Sequence, residues 1–468
     1  MFANRVYFIG IGGIGMSGLA EILVNRDYEV EGSDVAKTEV TERLETLGVK
    51  INYSHCADNI DDKVQMVVFS AAIDASNKEL VKAKKMGIPV ITRGEMLADI
   101  MRLKKDAVAV AGTHGKTTTS SLIFSVLEES DIETTAIIGG ILIKNSTNAW
   151  WGNGDYLVAE TDEHDGSFLK LFPSVSVVTN IDEEHMEYYP TLEDLKNAFL
   201  DFIHKVPFYG FSVLCIDDEN IKSIIEQVKC NKILYGVDEQ ADITAENIVF
   251  SNDILDVWVS FDVISRNERF APIGKIGSLK VNAIGMHNVL NILASVCVGI
   301  GLGLEFELIK AGLEKFSGIK RRFEIKNKNQ DFILIEDYAH HPREIKAVLD
   351  SVSHIKRNRL IVVFQPHLYS RTQYFWGKFA KELACADLLV LLDIYPAREE
   401  PLPGINSANL IEDIKRSGNR EYLYIENKDK AVEYISNVIE KDDLVLVLGA
   451  GDVYEISDRL AKLDFVKQ

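Results

Sequence analysis

Short apolar runs alternate with segments of helical periodicity along most of the 468-residue chain. Runs rich in Val, Ile and Leu that alternate with helical segments are typical of parallel strands covered by helices on both faces of a sheet. We therefore predict an α/β fold. The predicted strands lie at 6–10, 66–70, 90–92, 107–111, 156–159, 176–179, 332–336, 360–364, 388–392 and 444–448.

Three strand–glycine loop–helix openings divide the chain, which is too long for a single core. The predicted domains cover 1–105, 106–318 and 319–468, and the charged stretch 102–106 is the predicted linker between the first two. Within the middle domain, residues 242–284 alternate more regularly between apolar and polar positions. This alternation predicts an antiparallel meander inserted in that domain.

Composition and charge exclude several classes of protein. At 47% hydrophobic and 26% charged residues, the chain resembles an ordinary globular protein. The net charge of -20 argues against a nucleic-acid partner, because phosphate backbones are bound by dense Lys and Arg. The five cysteines are scattered and form no zinc-binding or disulfide pattern. We therefore expect a reducing compartment, the cytoplasm.

Two apolar stretches resemble targeting or membrane segments at first sight. The run Val6–Gly15 is interrupted by glycines and lacks a convincing cleavage region, so we interpret it as a buried strand and turn. The run Val289–Leu304 contains Asn291, Ser295 and several glycines, which favours a buried helix over a membrane span. We expect no membrane insertion.

The first glycine loop, Gly10-Ile-Gly12-Gly13-Ile-Gly15, follows a strand and precedes a helix, and Asp34 follows the next strand. Glycines let backbone N–H groups approach a pyrophosphate, and the acid accepts a hydrogen bond from a ribose hydroxyl. This spacing fits an NAD-dependent dehydrogenase, but any nucleoside diphosphate offers the same groups. Close strand–helix packing without a ligand is the simpler alternative. The loop thus predicts a nucleotide pocket of unknown base.

The second glycine loop, residues 112–119, follows a strand and opens another helix. It is a shortened phosphate-binding loop, since Val110 stands where the full pattern has glycine. Its backbone N–H groups are suited to a β-phosphate, Lys116 to the β- and γ-phosphates, and Thr117 to Mg²⁺. A dehydrogenase has no need of this loop. Two distinct loops indicate ATP and a second substrate that carries a nucleotide.

Further motifs follow in a fixed order along the chain. They are GIGGIGMSG at 10–18, GTHGKTTT at 112–119, ETDEHDGSF at 160–168, TNIDEEHMEYY at 179–189, GMHNVLN at 285–291, GIKRRFE at 318–324, DYAHHP at 337–342, FQPHLYSRT at 364–372, DIYPAREEP at 393–401 and LGAGD at 448–452. With these motifs the chain resembles the Mur ligase family over essentially its whole length.

The resemblance implies an N-terminal Rossmann-like domain for a uridine diphosphate substrate, a central P-loop ATPase domain and a C-terminal Rossmann-like domain. It implies a ligase that uses ATP and Mg²⁺, two ions in all, to join L-alanine to UDP-N-acetylmuramic acid through an acyl phosphate. The first glycine loop then holds UDP rather than NAD. The C-terminal domain is expected to close over ATP and exclude water. We expect a monomer or homodimer.

Loop mechanics and the resemblance together assign the candidate site residues. Those for ATP are Gly112, Thr113, His114, Gly115, Lys116, Thr117, Thr118, Asn288, Arg322 and Asp337. Those for the uridine substrate are Gly12, Gly13, Gly15, Asp34, Ser70 and Arg93. Those for the amino acid are Tyr338, His340, His367 and Arg371; those for metal are Thr117, Glu160 and His185; and those for catalysis are Lys116, Arg322 and His340.

Several of these residues have simpler explanations. Glu160 fits a solvated loop acid, Asn288 fits a helix cap, and the run 320–322 fits a solvated basic patch. One common form of the amino-acid motif has arginine where this chain has Leu368, so either His367 or a water would have to supply one contact to the carboxylate. The sequence suggests no role for His114.

Three alternative functions remain open at this point. A recycling ligase of the same family adds a ready-made peptide to the same sugar, although the form of the first loop favours the alanine-adding enzyme. An NAD-dependent oxidoreductase would bind NADH. A nonenzymatic regulator would bind both nucleotides without releasing phosphate.

Overall fold

Three β-sheets, of five, ten and six strands, follow one another along the chain, as the α/β prediction requires. The computed structural model describes residues 4–463 except 131, 187, 238–239, 254–255, 328–331, 354 and 398. Two residues of the quoted motifs, Glu187 and Arg398, therefore lie outside the described residues.

The first sheet has the strand order β3-β2-β1-β4-β5, and all its pairs are parallel. Its strands are β1 (Arg5–Ile9), β2 (Glu29–Ser33), β3 (Lys50–Asn52), β4 (Met66–Phe69) and β5 (Val90–Thr92). Its helices are α1 (Ile14–Val24), α2 (Glu39–Thr46), α3 (Lys78–Met86) and α4 (Arg93–Met101), with a 3₁₀ turn at Ala57–Asn59. The strand order reverses at β1, where such sheets bind ligands beyond the strand's carboxyl end.

The second sheet has the order β15-β14-β13-β12-β11-β10-β6-β9-β7-β8. Its strands are β6 (Asp106–Ala111), β7 (Thr135–Leu142), β8 (Thr147–Trp150), β9 (Tyr156–Glu160), β10 (Val175–Val178), β11 (Phe211–Cys215), β12 (Lys232–Tyr235), β13 (Ile243–Phe250), β14 (Val259–Ser265) and β15 (Gly274–Val281). Its helices are α5 (Lys116–Glu129), α6 (Leu192–Ile203), α7 (Glu219–Ile224), α8 (Met286–Gly301) and α9 (Phe306–Glu314), with 3₁₀ turns at Ser167–Lys170 and Ile225–Gln227.

The centre and the edges of this sheet differ. The central strand β6 is parallel to β9 and β10, and five of its six residues are buried. At one edge β7 and β8 form an antiparallel hairpin. At the other edge β13, β14 and β15 are neighbours in chain order, and the connections 251–258 and 266–273 are too short for the crossover of a parallel pair. The predicted meander is these three strands.

The apolar stretch before Leu304 forms the buried helix α8, as the sequence predicts. Within the described part of the chain, no helix is long and apolar enough to cross a membrane.

The third sheet has the order β16-β17-β21-β18-β19-β20. Its strands are β16 (Glu324–Asn327), β17 (Phe332–Asp337), β18 (Leu360–Phe364), β19 (Leu388–Leu391), β20 (Glu421–Tyr424) and β21 (Asp443–Leu448). Its helices are α10 (Pro342–Ser353), α11 (Tyr369–Tyr374), α12 (Trp376–Leu383), α13 (Ser407–Ser417), α14 (Lys428–Val438) and α15 (Tyr454–Leu460). Strand β16 is antiparallel to β17, and the other pairs are parallel. Separate apolar cores cover the sheet, one containing α10, α12 and α13 and the other α14 and α15.

The contacts divide the chain into two compact units. The first unit contains the chain up to residue 249 together with 260–281 and 288–317, and the second contains 250–259, 282–287 and the chain from residue 318 onward. The first two sheets belong to the first unit, except Phe250 at the end of β13 and Val259 at the start of β14. The predicted domain boundaries 1–105, 106–318 and 319–468 stay a prediction.

Candidate functional site

The first glycine loop lies between β1 and α1 and is held by the end of β2. The carbonyl of Ser33 accepts hydrogen bonds from the N–H groups of Gly10 (2.9 Å) and Ile11 (3.0 Å). The carboxylate of Asp34 accepts one from the N–H of Gly12 at 2.8 Å. A Cβ atom on Gly12 would lie 2.8 Å from that same carboxylate oxygen, so a larger residue would displace the Asp34 side chain. Asp34 thus shapes the loop from the position where the sequence predicts a ribose-binding acid.

Two more predicted residues border this loop. Ser70 follows β4, and its Cβ lies 3.4 Å from the position of a Cβ on Gly10, whose φ is +79°. Arg93 is the first residue of α4, and its Cδ would lie 3.0 Å from a Cβ on Gly15. The residues predicted to bind the uridine substrate are therefore brought together around one loop.

The second glycine loop joins β6 to α5 and contains two glycines that no other residue replaces without strain. Gly112 has φ +128°, and a Cβ there would lie 2.2 Å from the hydroxyl oxygen of Thr179. Gly115 has φ +80°, and a Cβ there would lie 2.6 Å from the Oδ1 of Asn291. Positive φ and close backbone approach are what a loop that wraps a phosphate requires.

The segment after β10 holds this loop from the side. Asn180 accepts hydrogen bonds from the N–H of Thr113 through its carbonyl (3.1 Å) and from the N–H of His114 through its side chain (2.8 Å). The imidazole Nε2 of His114 lies 3.3 Å from a carboxylate oxygen of Asp182, whose N–H donates to the Thr113 hydroxyl at 2.9 Å. His114 is therefore part of the framework that shapes the loop, which the sequence did not suggest.

Lys116 opens α5 and forms a largely buried ion pair with Glu163. Its ammonium lies 2.9 Å from Oε2 of Glu163 and 3.2 Å from the carbonyl of Thr113. The carboxylate side chain is only 1% exposed and that of the lysine 14%. Burial lowers the pKa of Lys116, but Glu163, Asp162 and Glu160 outweigh burial, so the net pKa is raised. The lysine stays charged, as a phosphate-binding group must.

An acidic and imidazole cluster lies beside the lysine. Asp162, Glu163 and His185 each place one potential metal-ligating atom within 4.8 Å of the others. The Nδ1 atoms of His185 and His164 are 2.9 Å apart, so one ring donates to the other. Burial raises the pKa of Asp162, but Lys116, followed by other cations, lowers it to about 2 overall. A persistent carboxylate beside a second acid and an imidazole forms a donor set that fits a divalent cation.

Glu160, the other predicted metal ligand, lies at the end of β9. Its Oε2 accepts a hydrogen bond of 2.8 Å from the N–H of Gly139 on β7. A Cβ on Gly139 would lie 2.3 Å from the other carboxylate oxygen, so the glycine makes room for the acid. The hydroxyl-bearing residue Thr117 is 4% exposed and lies in the first turn of α5.

Helix α8 brings two asparagines to the phosphate loop. Asn291 accepts a hydrogen bond of 3.1 Å from the hydroxyl of Thr119 and donates one of 3.0 Å to the Oδ1 of Asn288. The sequence predicts that Asn288 contacts adenine. In the structure, Asn291 links Asn288 to Thr119, which follows the phosphate loop. Thr118, the last predicted loop residue, follows Thr117 in the same turn.

In the second unit, Asp337 ends β17 and is nearly buried. Its carboxylate accepts hydrogen bonds from the N–H groups of Phe323 (2.7 Å) and Ala339 (2.8 Å). Burial raises the pKa of Asp337 to about 6, although Arg322 and the two N–H donors act in the opposite direction. The guanidinium of Arg322 lies over the ring of Tyr338 at 5.0 Å. These predicted residues form one group at the carboxyl end of β17.

The predicted amino-acid residues also come together. His340 lies 5.4 Å from the ring of Tyr338 and 5.8 Å from that of His367. The Nδ1 of His367 lies 3.1 Å from a guanidinium nitrogen of Arg371. Tyr395, which the sequence did not single out, stacks on His367 at 5.6 Å. The result is a line of rings that ends at a guanidinium, which is suited to a small carboxylate.

Leu368, where one common form of the motif has arginine, has an unusual backbone. Its φ is +70°, and its N–H donates to the carbonyl of Tyr395 at 2.9 Å. A branched apolar residue at positive φ is strained, and such strain is concentrated at functional sites.

Around the phosphate loop, the residues that sequence reasoning missed are Asp162, Glu163, His164, Asn180 and Asp182. All five lie within two quoted motifs, ETDEHDGSF and TNIDEEHMEYY, which follow β9 and β10. Both strands flank β6, whose end carries the phosphate loop. Because both motifs directly follow predicted strands, and the carboxyl ends of parallel strands meet at one edge of a sheet, their acids could have been expected beside the loop.

Three family models match the chain in order. They are described as Mur ligase family, catalytic domain (residues 5–105), Mur ligase middle domain (residues 110–299) and Mur ligase, glutamate ligase domain (residues 321–451). The chain belongs to the Mur ligase family. The predicted membership and the three-part α/β architecture are thus confirmed.

Curated relatives of this Mur ligase match over nearly its whole length. The UDP-N-acetylmuramate–L-alanine ligase of Desulfosudis oleivorans is 45% identical over 457 residues, which cover 97% of each chain. That of Geotalea daltonii is 43% identical over 459 residues, which cover 98% of each chain. Among solved structures, the UDP-N-acetylmuramate–alanine ligase of Thermotoga maritima is 28% identical, covers 98% of both chains and has a TM-score of 0.83. A murein peptide ligase of Psychrobacter arcticus, 21% identical with a TM-score of 0.72, shares the fold.

Proposed function

We propose that this protein is an ATP-dependent ligase that joins L-alanine to the lactyl carboxylate of UDP-N-acetylmuramic acid and so serves peptidoglycan precursor synthesis. The observation that carries the proposal is the pair of nucleotide loops in one unit, with the charged Lys116 at the second. The relatives that are 43–45% identical over nearly the whole chain support the choice of substrates.

The second loop fits the triphosphate of ATP. Its two glycines have positive φ, and Lys116 opens the following helix with its charge intact. A cation-binding group of acids and an imidazole lies beside that lysine. We propose two Mg²⁺ ions there, held by Thr117, Glu160 and His185 with the help of Asp162 and Glu163 (number and ligands are part of the proposal). Bound Mg²⁺ supplies neutralisation of phosphate charge.

The proposed chemistry has two steps. A lactyl carboxylate oxygen attacks the γ-phosphorus of ATP, the bond from that phosphorus to the β–γ bridging oxygen breaks, and acyl phosphate and ADP result. Lys116 stabilises the charge on the phosphoryl oxygens as they move, because this chemistry depends on positioning and electrostatics. The neutral amine of alanine then attacks the acyl carbon, phosphate leaves and the nitrogen loses a proton.

In the second unit, Arg371 is proposed to bind the carboxylate of alanine, with Tyr338, His340 and His367 around it. His340 is the proposed base for the amine proton, since its ring lies between those of Tyr338 and His367. The roles of Arg322 and Asp337 at ATP, and the closure that would bring them there, stay predictions. We also propose that the reaction takes place in the cytoplasm and that the protein is a monomer or homodimer.

Phosphate release with different acceptors tests this function. With ATP, Mg²⁺ and UDP-N-acetylmuramate, release should require L-alanine, and Lys116→Ala should abolish it while the uridine substrate still binds. Release that depends on a tripeptide instead of alanine would indicate the recycling ligase. Binding of both nucleotides without release would indicate a regulator, and energy transfer from tryptophan to NADH would indicate the oxidoreductase.

A further inference from the structure

We propose that Arg93 binds the reacting carboxylate of the sugar substrate and holds it for attack on ATP, beyond any contact with the diphosphate. This inference rests on the proposed function, because it is the lactyl carboxylate that becomes the acyl phosphate.

Arg93 lies between the two nucleotide loops of the first unit. Its aliphatic part borders Gly15 in the first loop, where a Cβ would lie 3.0 Å from Cδ and 3.1 Å from a guanidinium nitrogen. Its other guanidinium nitrogen lies 3.9 Å from a carboxylate oxygen of Asp162. Asp162 in turn belongs to the acid and imidazole cluster beside Lys116. The guanidinium therefore lies between the first glycine loop and the cluster beside Lys116.

The backbone of Arg93 is fixed from two sides. Thr92 caps α4 in a reciprocal box: its hydroxyl accepts from the N–H of Glu95, and the Glu95 carboxylate accepts from the N–H of Thr92 at 2.8 Å. Gly94 packs against the segment that follows the cluster, since a Cβ there would lie 2.3 Å from the Cβ of Ser167. The start of α4, which carries Arg93, therefore packs closely against the segment that follows the cluster.

The ion pair of Arg93 with Asp162 leaves capacity for a ligand. At 3.9 Å the two groups attract each other but are too far apart for a hydrogen bond. A guanidinium has five N–H donors and binds carboxylates best in a bidentate arrangement. The Asp162 carboxylate shows that an anion is stabilised beside this guanidinium. A substrate carboxylate that accepts two direct hydrogen bonds from the guanidinium would bind there more strongly than Asp162 does.

The reacting carboxylate also needs a nearby positive charge, because the groups that it approaches are negative. The attacking carboxylate must approach a triphosphate and the acids Asp162 and Glu163, all of them negative. Lys116 belongs to the second loop and already forms an ion pair with Glu163. Arg93 supplies the positive charge on the side of the sugar nucleotide, which lowers the repulsion between the two reacting anions.

Two ligands that differ only in the lactyl group separate this role from others. UDP-N-acetylmuramate carries the carboxylate, whereas UDP-N-acetylglucosamine has a hydroxyl there and the same diphosphate. Calorimetric titration should show that Arg93→Gln weakens binding of the first roughly tenfold to a hundredfold and leaves the second nearly unchanged. Arg93→Lys, which keeps the charge but not the fork, should give a smaller loss confined to the first ligand. Arg102→Gln, at the other end of α4 and exposed, should change neither.

Equal weakening of both ligands by Arg93→Gln would mean that Arg93 holds the diphosphate and would overturn the inference. Unchanged binding of UDP-N-acetylmuramate would overturn it as well. ATP affinity of each variant reports whether the unit is folded, and Arg93→Lys gives the answer if Arg93→Gln is unfolded. If the wild type releases no phosphate with alanine, the proposed function itself fails, which is a different result from either of these.

Discussion

The ion pair between Lys116 and Glu163 should contribute both to the stability of the fold and, through the lysine, to turnover. Two variants distinguish these contributions. Lys116→Met removes the charge and keeps most of the side-chain length, but it leaves the Glu163 carboxylate, 1% exposed, without its cation. Removing one partner of a buried pair costs about 3–5 kcal/mol. Because Lys116 is itself partly exposed, we expect the lower end, about 3 kcal/mol.

That loss should be visible as a fall in the thermal midpoint. For a domain of the size predicted at 106–318, 1 kcal/mol corresponds to roughly 2–4 °C, so Lys116→Met should lower the midpoint by about 6–12 °C. The double variant Lys116→Met/Glu163→Gln contains no buried unpaired charge and should recover more than half of the fall. Both variants should be inactive, because neither carries the phosphate-binding ammonium.

Scanning fluorimetry and phosphate release on the same preparations measure the two properties. The single variant Glu163→Gln provides the fourth corner of the cycle. If Lys116→Met has the same thermal midpoint as the wild type, or if the double variant has no higher midpoint than Lys116→Met, the two residues do not form a stabilising buried ion pair. If Lys116→Met retains turnover, the loop does not act on a triphosphate.

Three further predictions concern other groups of the site. Burial raises the pKa of Asp337 to about 6 despite Arg322, so the folded protein holds a proton there that the unfolded chain loses from about pH 4 upward. The wild type should therefore lose up to about 3 kcal/mol relative to Asp337→Asn as pH rises from about 4 to 6, measured by thermal midpoints. Gly139→Ala places a methyl group against the Glu160 carboxylate and should raise the Mg²⁺ needed for half-maximal activity roughly tenfold, with little change in stability because a glutamate tip can move. Arg371→Gln should raise the KM for alanine tenfold or more and leave the KM for ATP unchanged in steady-state assays.

Each of these predictions has a control. Burial lowers the pKa of His287 to about 4, so protonation of this histidine makes stability rise with pH between about 4 and 6. Because Asp337→Asn contains the same histidine, the difference between the two proteins removes this contribution. Gly377→Ala, with open space around the added methyl, should leave the Mg²⁺ requirement unchanged. Arg416→Gln removes an exposed arginine and should leave the KM for alanine unchanged. A parallel pH dependence in both proteins, an unaltered Mg²⁺ requirement for Gly139→Ala, or an unaltered alanine KM for Arg371→Gln would contradict the respective assignment.

The central strands were predictable because β6, β18 and β21 are continuous buried apolar runs. Edge strands such as β16 and β20 contain polar or partly exposed residues, so no apolar run predicts them. Helix starts were harder. The sequence assigns residues 112–119 to the second loop and the helix to the residues after it, whereas α5 begins at Lys116, within that segment. Gly115 in the left-handed region allows the chain to turn directly into the helix, so the lysine and the threonines after it are helical. Local periodicity does not show this, because these residues are polar.

The site was predictable in its loops but not in its partners. Lys116 and Glu163 are far apart in sequence and meet only because β9 lies beside β6 in the sheet. The role of His114 depends in the same way on Asp182 after β10. Such contacts follow from strand order, which no single stretch of sequence contains.

The fate of one oxygen atom shows whether the reaction proceeds through an acyl phosphate. UDP-N-acetylmuramate labelled with ¹⁸O in its lactyl carboxylate should, with ATP, Mg²⁺ and L-alanine, yield inorganic phosphate that contains one labelled oxygen per molecule. The label passes to phosphate because the carboxylate oxygen attacks phosphorus and departs with it when the amine attacks carbon. Unlabelled phosphate, released together with the alanine product, would contradict the acyl-phosphate route.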